Sequence, residues 1–143
     1  MAVAAGAVTI LWAGLAYDVA RPADYRDYSR TMVQVAESAH DAAQTGRLVA
    51  QEQLAGRLTG LYSVAAYDDA AKGLAGAQKK FAAQGPPDKA SAELRDRLSP
   101  LLAGTVEALG DTAEAGDDRT REIGVEKLGG LASQFQDFIE AYG

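Results

Sequence analysis

Apolar residues recur at steps of three and four positions along most of this 143-residue chain. Such steps place side chains on one face of an α-helix. The alternation with a period of two that marks a half-buried β-strand is missing over any useful length. Alanine, which has the best helix propensity, supplies much of the 48% hydrophobic content. The pattern therefore predicts an all-α protein.

Four apolar faces of this kind follow one another along the chain. The first lies between Asp24 and Gly46 and contains Tyr25, Tyr28, Met32, Val35, Ala39 and Ala42. The second begins with Leu54, Leu58, Leu61 and Ala65, and a neighbouring row consists of Val64, Tyr67, Ala71, Leu74, Gln78 and Phe81. The third contains Leu94, Leu98, Leu101, Thr105 and Leu109. The fourth contains Leu128, Leu131, Phe135, Phe138 and Tyr142.

Residues that start or stop helices separate these faces. Asp24 is a suitable N-cap, and the preceding Arg21-Pro22 disfavours a continuous helix from the opening segment. The clearest boundary is residues 84–88, where Gly85 can adopt the left-handed cap and two prolines follow.

The later boundaries are marked by acidic residues and glycine. Asp88 or Ser91 can start the third helix, and Asp117 or Asp118 can start the fourth after a stop at Gly116. Because Pro100 follows a serine, the third helix is expected to be kinked or restarted there. Glycines 129 and 130 predict close approach of a neighbouring helix, with a local break as the alternative.

Gly46 decides how many helices the chain forms. A turn at this position predicts an N-terminal apolar helix followed by an antiparallel up-down bundle of four helices, and we favour this arrangement. A continuous helix of about sixty residues through Gly46 would leave three helices instead. The turn is favoured because an unbroken helix would expose the apolar face of residues 25–35 unless it dimerised.

Composition excludes several kinds of chemistry. The chain has no cysteine and a net charge of −6, so thiolate sites are excluded and nucleic-acid binding is not expected. His40 is the only histidine, and one Glu37-x-x-His40 spacing cannot supply the two such motifs of a di-iron bundle. We predict no catalytic, cofactor-binding or metal-binding residues, no cofactor and no enzymatic activity.

Paired carboxylates do not change this conclusion. Asp68 and Asp69 are adjacent on a predicted helix and point in different directions, so they do not converge on one proton or metal. The pair Asp117-Asp118 is explained by capping of the last helix.

Several tyrosines fall on or beside the apolar faces. Packing of each ring in the core with its hydroxyl at the rim is one interpretation. The other is a surface for a partner or ligand, and its candidate residues are Tyr25, Tyr28, Met32, Tyr62 and Tyr67.

The opening segment carries no charge from Ala2 to Tyr17. As a helix it would span about 24 Å, near the lower limit for crossing a bilayer. We interpret residues 1–20 as a membrane anchor, centred on Ile10, Leu11, Trp12 and Leu15, and residues 21–143 as the bundle domain. A cleaved export signal and a buried helix of a soluble protein are the alternatives. For a membrane span, Arg21, Arg26 and Arg30 lie on the C-terminal side of the segment, and this charge bias would keep the bundle cytoplasmic.

An apolar N-terminal segment followed by an Ala-rich acidic bundle resembles the membrane-anchored extracytoplasmic helical-bundle proteins of high-GC bacteria. It is more distantly similar to the four-helix ligand-sensing domains of bacterial receptors. The first resemblance implies a non-enzymatic protein, membrane-anchored with its bundle outside the cytoplasm, that contacts another membrane or extracytoplasmic protein or itself, as an accessory subunit of a membrane complex. The second implies a sensor or small-ligand-binding bundle.

The anchor hypothesis makes a direct prediction. The intact chain should sediment with membranes, and a variant lacking residues 1–20 should stay in the supernatant, because the uncharged segment is removed. Fractionation of cells by ultracentrifugation measures this. Full solubility of the intact chain without detergent would contradict the hypothesis.

Overall fold

The computed structural model describes residues 24–143 in full and shows four helices. They are α1 (Ala2–Leu54), α2 (Gly60–Ala83), α3 (Lys89–Ala113) and α4 (Asp118–Tyr142). No strand occurs in the described part of the chain, so the all-α prediction and the four-helix bundle are confirmed. The predicted N-cap at Asp24 is wrong, because Asp24 lies inside α1. The expected break at Arg21-Pro22 and the proposed anchor residues Ile10, Leu11, Trp12 and Leu15 lie outside the described residues. Within residues 24–143, no helix offers a stretch of the length and hydropathy needed to cross a bilayer.

The helices run up and down, and α1 makes the most extensive contacts of the four within the described residues. Helix α1 packs against each of the other three helices, whereas α2 and α4 do not touch one another within the described residues. The side of α1 that faces its neighbours is rich in small buried residues: Ala36, Ala39, Ala42, Ala43, Gly46 and Ala50. Small side chains let the axes of neighbouring helices approach α1 closely.

The predicted turn at Gly46 is wrong, because α1 continues through this residue to Leu54. A Cβ placed on Gly46 would lie 2.5 Å from Leu109 Cδ1 and 3.2 Å from Leu128 Cδ1. The glycine therefore serves close packing of α1 with α3 and α4. The three-helix alternative is also wrong, since α1 ends at Leu54 and α2 is a separate helix.

The first chain reversal lies at residues 55–59. Gly56 has a φ of 70°, which favours glycine, and the Arg57 amide donates to the Glu52 carbonyl at 2.9 Å. The Arg57 side chain also pairs with the Glu52 carboxylate at 3.0 Å. This turn divides the second predicted face, so Leu54 and Leu61 do not belong to one helix.

Two predicted N-caps are confirmed. Asp88 accepts from the Ser91 amide at 2.7 Å and starts α3. Asp117 accepts from the Thr120 amide at 2.8 Å and starts α4. Each carboxylate satisfies an amide that has no partner within its own helix.

The end of α2 differs from the prediction. Gly85 does not adopt the left-handed conformation; the C-cap is Gln84, in an extended conformation. Arg95 of α3 donates instead to the carbonyls of Phe81 at 3.2 Å and Gln84 at 2.9 Å. Its guanidinium also lies 4.3 Å from the Phe81 ring centroid. Helix α3 runs through exposed Pro100 without a restart.

Three glycines of α4 have different neighbours. A Cβ on Gly129 would lie 3.3 Å from Arg47 Nε, which confirms the predicted close approach there, whereas one on Gly130 would meet nothing within 4 Å. The tightest contact is at Gly124, where a Cβ would lie 2.1 Å from Thr112 Oγ1 and 2.9 Å from Thr112 Cβ. Thr112 is buried and its hydroxyl donates to the Ala108 carbonyl at 2.6 Å, so it cannot move aside easily.

Alanine substitution at two of these glycines should change stability in opposite directions. Gly124→Ala should lower the free energy of unfolding by about 1 to 3 kcal/mol, because the added methyl overpacks the α3–α4 contact. Gly130→Ala should raise it by about 0.5 to 1 kcal/mol, because open space surrounds the site and alanine favours helix. Urea unfolding measures both values. Equal effects of the two substitutions would contradict the described α3–α4 packing.

Candidate functional site

The five residues proposed as a partner or ligand face do not share one surface. Tyr28, Met32 and Tyr67 are buried in the core, with exposed fractions of 4%, 0% and 5%. Tyr25 is half-buried beside the core, and Tyr62 is exposed. The two exposed or half-buried tyrosines lie at opposite ends of the bundle, because α1 and α2 are antiparallel.

Tyr67 holds the beginning of α2 against the end of α1. Its hydroxyl donates to Gln53 Oε1 at 2.8 Å. Burial raises the pKa of Tyr67 above its ordinary value, and the charge of Arg121 opposes this in part. The hydroxyl therefore stays protonated as a donor, and the contact between α1 and α2 explains this residue.

A pocket lies at the end of the bundle where the described part of α1 begins and α4 ends. This proximal pocket has a volume of about 590 Å³ and is lined by Tyr25, Arg26, Ser29, Arg30, Val33, Glu37, Ala141, Tyr142 and Gly143. The Arg97 guanidinium donates to the Tyr142 hydroxyl, and Ser29 Oγ lies 3.5 Å from the Tyr142 carbonyl oxygen. The volume is within the range of small-molecule sites.

The opposite, distal end of the bundle contains the turns at residues 55–59 and 114–117. Here the first turns of α2 direct three large apolar side chains outward: Leu61, Tyr62 and Val64 are 82%, 70% and 69% exposed. We call these three residues the apolar ridge. Ser63, by contrast, is buried towards the bundle, and its hydroxyl donates to the Thr59 carbonyl at 3.1 Å. This arrangement reverses the usual order of apolar and polar positions on a surface helix.

The spacing of the second face predicted core positions for Leu61 and Val64, and the structure exposes both. The reason is the turn at residues 55–59, which starts α2 with a new rotational setting. Gly56 and Thr59, the N-cap of α2, lie in this segment and Gly60 follows it, and these residues could have indicated a break there.

The apolar ridge leads into a groove between α2 and α3. Val64 and Ala71 are seven residues apart and so lie on the same side of α2. Ala71 lines this groove, together with Tyr67, Leu74, Gln78, Val106, Leu109, Gly110 and Ala113. The groove forms because α2 and α3 make the least extensive contact of any touching pair of helices in the bundle.

The distal end also carries most of the net negative charge. Residues 51–72 and 107–122, which form this end, contain nine Asp and Glu residues and four Lys and Arg residues. Three of the basic residues are paired within this set: Arg57 with Glu52, Lys72 with Asp68, and Arg121 with Asp118. The excess of five negative charges compares with a net charge of −6 for the whole chain.

Asp117 keeps its charge in mildly acidic solution. Hydrogen bonds from the amide and hydroxyl of Thr120 lower the pKa of Asp117 below its ordinary value. The folded protein thus favours the carboxylate, and this stabilisation is present above the ordinary pKa and is lost as pH falls through the lowered value. Capping explains the residue, as the sequence predicted.

The remaining candidate residues are separated. His40 Nδ1 lies 3.5 Å from Asp41 Oδ1, and Asp68 pairs with Lys72 at 2.7 Å. In the described part of the chain, no three His, Asp or Glu residues are grouped so that they could hold a metal ion.

Comparison with known proteins adds no family. The sequence matches no protein-family model, and neither a curated protein nor a solved structure is significantly similar to it. Inference about function therefore depends on the two surfaces described above, the apolar ridge and the proximal pocket.

Two tyrosines should respond differently to truncation. Tyr67→Ala should lower the free energy of unfolding by about 3 kcal/mol, because a buried ring is lost. Tyr62→Ala should change it by less than about 0.5 kcal/mol, because the ring is exposed. Urea unfolding followed by circular dichroism measures both. A large loss for Tyr62→Ala would show that the ridge is part of the core.

Proposed function

We propose that the chain is a non-enzymatic, membrane-anchored helical-bundle protein that acts through protein–protein contacts, as an accessory subunit of a membrane complex. The apolar ridge of Leu61, Tyr62 and Val64 is the proposed contact surface. The observation that carries this proposal is the high exposure of all three side chains at one end of the bundle.

The energetics of the ridge support a contact role. Burying one exposed Leu or Val side chain contributes about 1.5 to 3 kcal/mol of free energy. The ridge side chains remain exposed after folding, so a partner that covers them would gain this free energy on binding. Contiguous exposed apolar side chains mark interaction surfaces in soluble domains. Because Ser63 takes the inward position, the ridge is not required for the core.

The layout of the chain fits the same proposal. The described part of α1 from residue 24 to Leu54 is about 45 Å long at 1.5 Å per residue. An anchor in residues 1–20 would hold the proximal end at the bilayer. The ridge would then face away from the membrane, where another subunit or an extracytoplasmic protein can reach it.

Site-specific photo-crosslinking tests the contact role. A photoreactive benzoylphenylalanine at position 62 should give a discrete higher-mass product in native cells, because Tyr62 lies on the ridge. The matched control is position 133, an exposed residue of α4, which does not contact α2. Crosslinking of equal pattern at both positions, or none at position 62, would contradict the proposal. A product of twice the chain mass would indicate self-association.

The proximal pocket favours a second candidate function, that of a small-ligand-binding bundle. Two arginines and two tyrosines line it: Arg26, Arg30, Tyr25 and Tyr142. Arg30 pairs only loosely with Asp27, at 3.7 Å, and both side chains are well exposed. An aromatic carboxylate matches these groups, since guanidinium binds carboxylate and tyrosine rings pack on aromatic faces.

Thermal denaturation with benzoate as the probe tests this candidate. Benzoate should raise the melting temperature of the chain and should have no effect on Arg26→Gln/Arg30→Gln, which removes the cations of the pocket. Arg119→Gln, at an exposed arginine of the distal end, should behave like the unchanged chain. Equal shifts in all three proteins would show that the pocket does not bind the carboxylate.

A further inference from the structure

We infer that the ligand of the proximal pocket is a zwitterion, whose carboxylate binds Arg26 and Arg30 and whose ammonium group binds Glu37. This inference rests on the small-ligand-binding candidate of the proposed function, because it names the class of ligand for the same pocket. Three features carry it: the order of the charges along α1, the absence of other partners for them, and the fixed wall that α4 supplies.

The charged side chains of the pocket lie along one face of α1. Arg26, Arg30, Val33 and Glu37 all line the pocket, and the steps between them are four, three and four residues. Such steps keep side chains on one side of an α-helix. The face therefore begins with two cations at the proximal end, continues through an apolar residue, and ends with an anion.

The opposite charges of this face do not neutralise each other. Arg30 and Glu37 are seven residues apart, which is about 10 Å along the helix axis. Neither Arg26 nor Glu37 has a salt bridge or a side-chain hydrogen bond within residues 24–143. Arg30 has only the loose contact with Asp27. Both kinds of charge can therefore bind a ligand that lies along the pocket.

The wall that α4 contributes is already fixed by contacts within the bundle. Arg97 donates to the Tyr142 hydroxyl, and the ring centroids of Tyr142 and Phe138 are 4.8 Å apart. Ala141 and Gly143, on either side of Tyr142, add no bulky side chain to the wall. A ligand does not need to immobilise this tyrosine, so the entropic cost of binding is reduced.

The size of the pocket and the position of Glu37 disfavour a ligand with one kind of charge. The volume of about 590 Å³ suits a ligand larger than benzoate, which fills only part of the pocket. A longer anion would bring negative charge towards Glu37, and a longer cation would bring positive charge towards the two arginines. A zwitterion places an ammonium group at Glu37, where it can form charge-assisted hydrogen bonds with the carboxylate.

Isothermal titration calorimetry with two matched probes tests this inference. The compound para-(aminomethyl)benzoate carries a carboxylate and an ammonium group on opposite sides of one ring. The compound para-ethylbenzoate has the same shape and the same carboxylate but no ammonium group. The full chain is held in a nonionic detergent, which adds no charge. The decisive quantity is the preference for the aminomethyl probe, that is, the dissociation constant of the ethyl probe divided by that of the aminomethyl probe.

Glu37→Gln removes the negative charge of the pocket and keeps the size of the side chain. It should weaken binding of the aminomethyl probe but not of the ethyl probe, so the preference should fall about three- to tenfold. Arg26→Gln/Arg30→Gln should weaken binding of both probes, because both present a carboxylate.

The matched control is Glu122→Gln, which makes the same change in net charge at an exposed carboxylate of the distal end. It should leave the preference for the aminomethyl probe unchanged. Melting temperatures of Glu37→Gln and Glu122→Gln should match that of the unchanged chain, because both positions are exposed.

The zwitterion is overturned if Glu37→Gln leaves the preference unchanged, or if Glu122→Gln lowers it equally, since an equal fall reports net charge alone. Binding of both probes that depends on the two arginines but not on Glu37 overturns the zwitterion and leaves the small-ligand-binding candidate standing. Absence of binding for both probes overturns that candidate as well.

Discussion

The close contact of Gly46 with Leu109 and Leu128 is the constraint on which the bundle depends. Two leucine side chains from different helices occupy the space where any larger residue on α1 would place its Cβ. Alanines on the same helix continue this surface in both directions. Helices α1 and α3 each contact all three other helices, and the small buried side chains of α1 permit close approach of its neighbours. Shape complementarity at close distance replaces large aliphatic contacts in this part of the core.

The separation of α2 from α4 determines part of what these helices expose. Helices α2 and α4 lie on different sides of α1 and do not meet within the described residues, so much of the outer side of α2 has no covering helix. In its first turns Ser63 and Tyr67 are buried, and Tyr67 bonds Gln53 of α1, which leaves Leu61 and Val64 outside. The proposed contact surface is thus a consequence of how α2 packs, combined with the acidic residues at the same end.

Much of the fold follows from local rules in the sequence. Helix type and the caps at Asp88 and Asp117 were predictable, because each depends on a few neighbouring residues. The glycine at position 129 also indicated a close approach, although its neighbour there, Arg47, is distant in sequence. Gly46 was misjudged because glycine signals a turn and a close contact equally well. Only the position of Leu109 and Leu128, which are distant in sequence, distinguishes the two roles.

The candidate surfaces were predictable only in part. The tyrosines were candidates for a contact surface, but their spacing could not distinguish buried Tyr67 from exposed Tyr62. That difference depends on how α2 is rotated about its axis after the turn at residues 55–59. For the same reason, the spacing predicts core positions for Leu61 and Val64, which the structure exposes. Periodicity reports which residues share a face, and tertiary packing determines whether that face is covered.

Hydrogen exchange of the α1 amides is the most direct test of the central claim, that one unbroken helix through Gly46 organises the bundle. The amides of residues 44–50 should exchange as slowly as those of residues 36–43, because the helix is continuous and buried on several sides. Faster exchange confined to residues 45–47, with slow exchange on both sides, would show a turn at Gly46 and contradict the account.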